Sequence, residues 1–180
     1  MNYLYVDNSN IAIEAMHMSA VAKGLAASIT EAQQKDITDR SYKLDFGRLL
    51  EFAGGEKSQI GRAVLYGSRP PPNDSVWNAA KRKGFEVVVH DRSLWTGKEK
   101  KIDTNVVTDI VTDSFDKMKP ATDEITLVAG DADYVPMVES LRKRGFRVDA
   151  CFWEHASGEL RRAVTKFIAL NPFLDHLRLK

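Results

Sequence analysis

Ile125-Thr126-Leu127-Val128-Ala129-Gly130-Asp131-Ala132-Asp133-Tyr134 runs from a short apolar segment through a glycine into two aspartates and a second periodic segment. Ile125 to Ala129 is too short for a helix and reads as a strand buried on both faces. Tyr134 to Arg144 reads as a helix, with Asp133 as its N-cap, Pro136 in the first turn and Gly145 just beyond its end. The stretch is therefore strand, acid, helix.

The same grammar recurs along the chain. Tyr3-Leu4-Tyr5-Val6 is an apolar run halted by Asp7-Asn8-Ser9-Asn10. Further strands are expected at Gly61 to Tyr66, Phe85 to His90, Phe146 to Phe152 and Lys166 to Leu170. A helix capped by Asp74 or Ser75 ends near Gly84. Val106, Val107, Ile110, Val111 and Phe115 form an apolar stripe at helical spacing. Leu44 to Phe52 reads as a helix stopped by Gly54-Gly55, and Ser157 opens a last short helix containing Leu160 and Val164. Met16 to Asp45 holds one or two helices with a loop around Gln33 to Ser41.

Alternating strands and helices specify an α/β fold with a mostly parallel central sheet, because right-handed crossovers lay helices on both faces. The 180 residues form one domain, 1–180, with a core over about 2–170 and a C-terminal tail at 171–180. Hydrophobic residues make up 43% and charged residues 28%, which are globular values, and no repeat or low-complexity tract interrupts them. A net charge of +1 excludes polyanion binding by bulk charge. The single cysteine, Cys151, excludes an internal disulfide and a Cys/His zinc site, and reads as inert core. With no leader-like N-terminus and no apolar stretch of about 18 residues, a cytoplasmic protein without membrane partners is expected.

In open parallel sheets the ligand site lies beyond the C-terminal strand ends, where the strand order reverses. Asp7 follows the first strand directly, and Asp131 follows the fourth. Asp103 precedes the Val106 helix, and Asp133 opens the next. If the order reverses between the first and fourth strands, Asp7 and Asp131 meet. Carboxylates so placed repel one another and bind hard cations, Mg²⁺ or Mn²⁺. Each has a plainer reading as well: helix caps for Asp103 and Asp133, and a turn for Asp131. Asp7 is the hardest to explain that way, since a carboxylate at the end of a buried strand is costly without a partner. Asp109, Asp113 and Asp116 share helical spacing and read as a solvated face, with Asp109 the least secure of the three.

These residues resemble the NYN domain family, relatives of the PIN-fold nucleases. The matching pieces are Tyr5-Val6-Asp7-Asn8-Ser9-Asn10, Lys101-Ile102-Asp103, Val128 to Met137, and Lys143-Arg144-Gly145-Phe146-Arg147-Val148. The resemblance runs from residue 2 to about 170. It implies a PIN-like three-layer α/β/α sandwich, Mg²⁺ or Mn²⁺ at an acidic pocket, and hydrolysis of RNA phosphodiesters. By residue it carries catalytic and metal-binding roles onto Asp7, Asp103, Asp131 and Asp133, and adds Asn10 and Asp109 to the pocket. Met16 to Asp45 is longer than the family pattern and reads as a lid, a dimer element or a substrate-selecting insert. With no appended RNA-binding module, a homodimer or a protein partner would supply target choice.

Two loops on the expected site side offer RNA contacts. Gly67 to Asp74 brings Arg69. Asp91 to Lys101 brings Arg92, Trp95, Lys98 and Lys101, a mixture of cations and a stacking ring. The alternative for both is an ordinary surface loop. Arg142, Lys143, Arg144 and Arg147 read as an exposed helix end, and His155 as a structural or exposed loop residue. Two other functions stay open. One is a non-catalytic RNA- or protein-binding domain of the same fold. The other is a different acid-cluster enzyme, a phosphatase or a phosphodiesterase acting on DNA. A receiver-like phosphoacceptor fits less well, because Lys166 is poorly placed for it.

Overall fold

A computed structural model describes residues 1–69, 75–91 and 102–180. Six strands, β1 (Asn2–Asp7), β2 (Ile60–Arg69), β3 (Glu86–Asp91), β4 (Glu124–Val128), β5 (Arg147–Phe152) and β6 (Lys166–Ala169), form one sheet in the order β3-β2-β1-β4-β5-β6. Every pairing is parallel. Among the described residues, seven helices connect or flank them: α1 (Asn8–Ala22), α2 (Ile29–Gln34), α3 (Phe46–Gly54), α4 (Ser75–Lys83), α5 (Ile102–Asp116), α6 (Val135–Lys143) and α7 (Gly158–Ala163). The order runs outward in both directions from the β1–β4 junction, which makes that junction the topological switch point.

Alternation along the strands divides the sheet into two cores. Leu4 and Val6 of β1, Leu65 of β2, Val128 of β4 and Cys151 of β5 face one layer, against Ile11, Leu49 and Trp77 of α1, α3 and α4. Tyr3, Tyr5, Val64, Leu127 and Ala150 face the other, against Val106, Ile110, Met137 and Leu160 of α5, α6 and α7. The result is a three-layer α/β/α sandwich. Both sheet faces are covered, so the strands read as continuous apolar runs. Residues 171–180 join the first layer: Leu174 and Leu177 are buried there, and Leu44 bridges to Arg178. Burial pushes the Cys151 thiol up to about 12, in keeping with an inert core residue.

Met16 to Asp45 resolves into the end of α1, then α2, then a loop closed on α1 through Asp39. That carboxylate is buried and accepts from Ser19 Oγ at 2.6 Å, from Ser41, and from Lys23 at 2.7 Å. Among the described residues no helix is long and apolar enough to cross a membrane.

Several local expectations need correction. Asp133 does not cap α6. It stands exposed in a 3₁₀ turn, Ala132–Tyr134, and Tyr134 takes the cap position without a side-chain bond to the helix's own N–H groups. Asp103 lies within the first turn of α5 rather than before it. α3 starts two residues later than expected, where Asp45 accepts from Gly47 N and Arg48 N. Val164 falls just outside α7 as its C-cap. Phe115 leaves the apolar stripe and is 69% exposed, with the Arg144 guanidinium 3.7 Å above its ring. Arg144 also donates to the Ser114 hydroxyl and carbonyl, so it is not a free helix end. Asp113 is no part of a solvated face: Tyr5 donates to it at 2.6 Å, and Arg62 and Lys117 pair with it. Burial works to raise its carboxyl, yet Lys117, Tyr5 and Arg62 together hold it below the ordinary range.

Candidate active site

Asp7 ends β1 and begins α1 with no residue between. Its Oδ1 accepts from Asn10 N at 3.1 Å, which makes it the N-cap of the helix. The sharp strand-to-helix change holds the carboxylate at the switch point, where it is 4% exposed. Across the junction Val6 pairs with Val128, and the chain after β4 carries Gly130 and Asp131 to the same end of the sheet.

Two residues connect the acids. The first is Asn10. Its Nδ2 donates to Asp131 Oδ2 at 2.7 Å, and its Oδ1 accepts from Gly130 N at 3.0 Å. The amide therefore reads both the backbone and the carboxylate of the turn after β4. The second is Tyr134, which is fully buried. Its hydroxyl stands 3.1 Å from Asp7 Oδ2 and 3.1 Å from Asp103 Oδ1. One hydroxyl has one proton, so it serves the two carboxylates in alternation. Burial and the charges of Asp7 and Asp103 drive its own ionisation far upward, which keeps it a donor.

Gly130 is required where it stands. A Cβ there would lie 2.2 Å from Cδ1 of Phe152, whose ring covers the turn.

The electrostatics follow from this geometry. Burial pushes the Asp7 carboxyl up to about 6. The Asn10 N–H and the Tyr134 hydroxyl oppose the rise, and the charges of Asp103 and Asp131 add to it. Asp131 stands exposed at the surface, yet partial desolvation, followed by the charges of Asp103, Asp133 and Glu14, raises its carboxyl as well. Asp7, Asp103 and Asp131 therefore act on one another across the junction. Asp133 is exposed at the rim, and its influence reaches Asp131. Asp109 lies farther along α5, where it accepts from Tyr66 Oη at 2.6 Å.

Arg92, Trp95, Lys98 and Lys101 lie outside the described residues, and the Arg69 side chain is likewise outside them. In the sequence Tyr134 reads only as a helix start, and Glu14 as an ordinary helix residue. The available signal for Glu14 was its spacing, one turn beyond Asn10 and two beyond Asp7 on one face of a helix.

The family model of the NYN domain matches residues 3–171. The chain belongs to the NYN domain family. That places it in the PIN-like nuclease superfamily, in agreement with the three-layer fold and the sheet order. A crystal structure of a protein of unknown function from Vibrio parahaemolyticus shares the fold, with a TM-score of 0.69 at 16% sequence identity, covering 99% of this chain and 95% of that one. No curated protein matches the chain.

The donor set of this NYN domain is all oxygen, the preference of Mg²⁺ and Mn²⁺. Among the described residues, no group of three or more His, Cys, Asp or Glu side chains is placed to hold a metal ion. A cation here would be held by one or two carboxylates and keep water in its other positions, as Mg²⁺ commonly does.

Proposed function

We propose that this NYN domain is a metal-dependent ribonuclease that hydrolyses RNA phosphodiester bonds at the β1–β4 junction. The observation that carries the reading is Asp7: a carboxylate held at the switch point by a helix start and pushed toward protonation by its burial, with the charges of Asp103 and Asp131 adding to the push. A protein gains no stability from such a group, and a cation relieves the strain.

In this reading Asp7 and Asp131 hold Mg²⁺ or Mn²⁺, and Asp103 and Asp133 hold a second ion or orient water. A divalent ion here supplies water activation at neutral pH and charge stabilisation on the phosphoryl oxygens. Tyr134 fixes the separation of Asp7 and Asp103. Asn10 holds one oxygen of Asp131 and leaves the other for the cation. Asp109 stands behind these, oriented by Tyr66. Arg69, Arg92, Trp95, Lys98 and Lys101 are proposed contacts for the RNA backbone and bases. The buried, unreactive Cys151 suits a cytoplasmic setting, and target choice is assigned to a second copy or a protein partner.

The test is cleavage of a labelled single-stranded RNA with Mn²⁺, Mg²⁺ or chelator. Activity that needs the ion and disappears in Asp7→Asn supports the reading; full activity in that variant overturns it. A second reading, a non-catalytic RNA-binding domain, is favoured by the lack of a three-residue cage among the described residues. Binding without cleavage under every ion would select it, and a parallel DNA substrate identifies a DNA-directed phosphodiesterase.

A further inference from the structure

The segment after β5 is fastened to the Asp131 turn at two points. Ser157 N donates to Gly130 O at 2.8 Å, and the Phe152 ring lies against Gly130. The same ring packs edge-on against His155, with centroids 6.0 Å apart. His155 closes onto α1, its Nε2 standing 2.7 Å from Glu14 Oε2. Glu14 lies one turn beyond Asn10, which holds Asp131. These contacts, together with helix α1 joining Asn10 to Glu14 and the chain joining Gly130 to Asp131, lead in a closed path through Asp131, Asn10, Glu14, His155, Phe152 and Gly130. His155 therefore belongs to the rim of the acid site, and the charge of Glu14 is felt at Asp131.

Glu14 does not depend on His155 for its own satisfaction. The same Oε2 also accepts from Gln33 Nε2 at 2.9 Å and lies 3.5 Å from His17 Nδ1. The carboxylate instead orients the imidazole through Nε2. The ring is 19% exposed, and its Nδ1 has no partner among the described residues. The charged groups that meet or adjoin it are Glu14 from α1, which also faces His17, and the neighbouring Glu154. Arg161 of α7 is engaged elsewhere, donating to the Glu154 carbonyl and lying over Phe167. An RNA strand entering this acidic rim needs a cation to meet its phosphate, and His155 is placed to be that group.

We propose that His155 is a substrate-contacting residue whose imidazolium donates from Nδ1 to an RNA phosphate beside the acid site, with Glu14 as its positioning residue. The proposal rests on the RNA-directed reading above.

The test measures binding without turnover, using the Asp7→Asn chain and a labelled single-stranded RNA followed by fluorescence anisotropy. At about pH 6, adding His155→Ala weakens Kd by about tenfold. It also lowers the slope of log Kd against log salt by about 0.7, the value for one phosphate contact on a single strand. His155→Lys restores the slope. Glu14→Gln gives a smaller loss in the same direction. An unchanged Kd and slope in His155→Ala overturns the proposal, as does weaker binding with an unchanged slope, the mark of a structural role. A wild-type chain that shows these dependences but never cuts RNA removes the ribonuclease reading and leaves the contact standing. Cleavage by wild type with His155→Ala indistinguishable does the reverse, and absence of RNA binding removes both.

Discussion

Asn10 donates its side-chain amide to Asp131 at 2.7 Å, tying the first turn of α1 to the chain emerging from β4. The two residues are 121 positions apart, and this contact spans the switch point of the sheet. Through it the Asp131 carboxylate is aimed, while the Asn10 backbone N–H holds Asp7 at the other side of the junction.

The strain on Asp7 makes stability and function oppose each other. The native carboxyl ionises at about 6 against an ordinary value of 3.8. Between about pH 4 and pH 6 the unfolded chain has released a proton that the native chain keeps, so stability falls as pH rises through that window. Asp7→Asn keeps the helix cap and removes the charge. It is expected to raise stability by roughly 2–3 kcal/mol at neutral pH in chelator, and by almost nothing near pH 4. Urea unfolding at the two pH values checks this, and the same variant should have no ribonuclease activity.

Cations should relieve the same strain. Millimolar Mn²⁺ or Mg²⁺ is expected to raise the Tm of the wild-type chain at neutral pH, because an ion that binds only the native state stabilises it by mass action. Thermal scans should show the rise abolished by chelator and strongly reduced in Asp7→Asn. An equal rise in both chains would mean that the ion binds elsewhere.

Tyr134→Phe removes the hydroxyl shared by Asp7 and Asp103 while leaving the buried ring. A hydrogen bond to a charged group contributes about 1.5–3 kcal/mol, so kcat/KM should fall by about tenfold or more. The Tyr134 hydroxyl opposes the rise of the Asp7 carboxyl. Its loss should move the acid limb of the pH–rate profile to higher pH, a displacement that a general loss of folding would not produce.

Asp113 carries stability rather than chemistry. Asp113→Ala leaves Arg62 and the buried Tyr5 hydroxyl without their shared acceptor. The expected loss is about 3 kcal/mol, the lower end for breaking a buried pair. Denaturant unfolding measures it, and cleavage per folded molecule should be unchanged.

The sequence by itself determined the alternation of strands and helices, and placed Asp7 and Asp131 just past strand ends. Apolar periodicity and turn residues are local signals, and Tyr3 to Val6 or Ile125 to Ala129 carry them within a few residues. It could not say what covers a helix face, and Asp113 on α5 was misjudged for that reason: Tyr5 and Arg62 reach it from strands far away in the chain. Asp133 lost its cap role for a related reason, since a 3₁₀ turn intervenes and hands that position to Tyr134. Only the tertiary structure decided that β1 lies beside β4, that one tyrosine hydroxyl serves both Asp7 and Asp103, and that His155 meets Glu14. Those relations depend on how crossovers pack against the sheet, a long-range balance of burial that no single segment encodes.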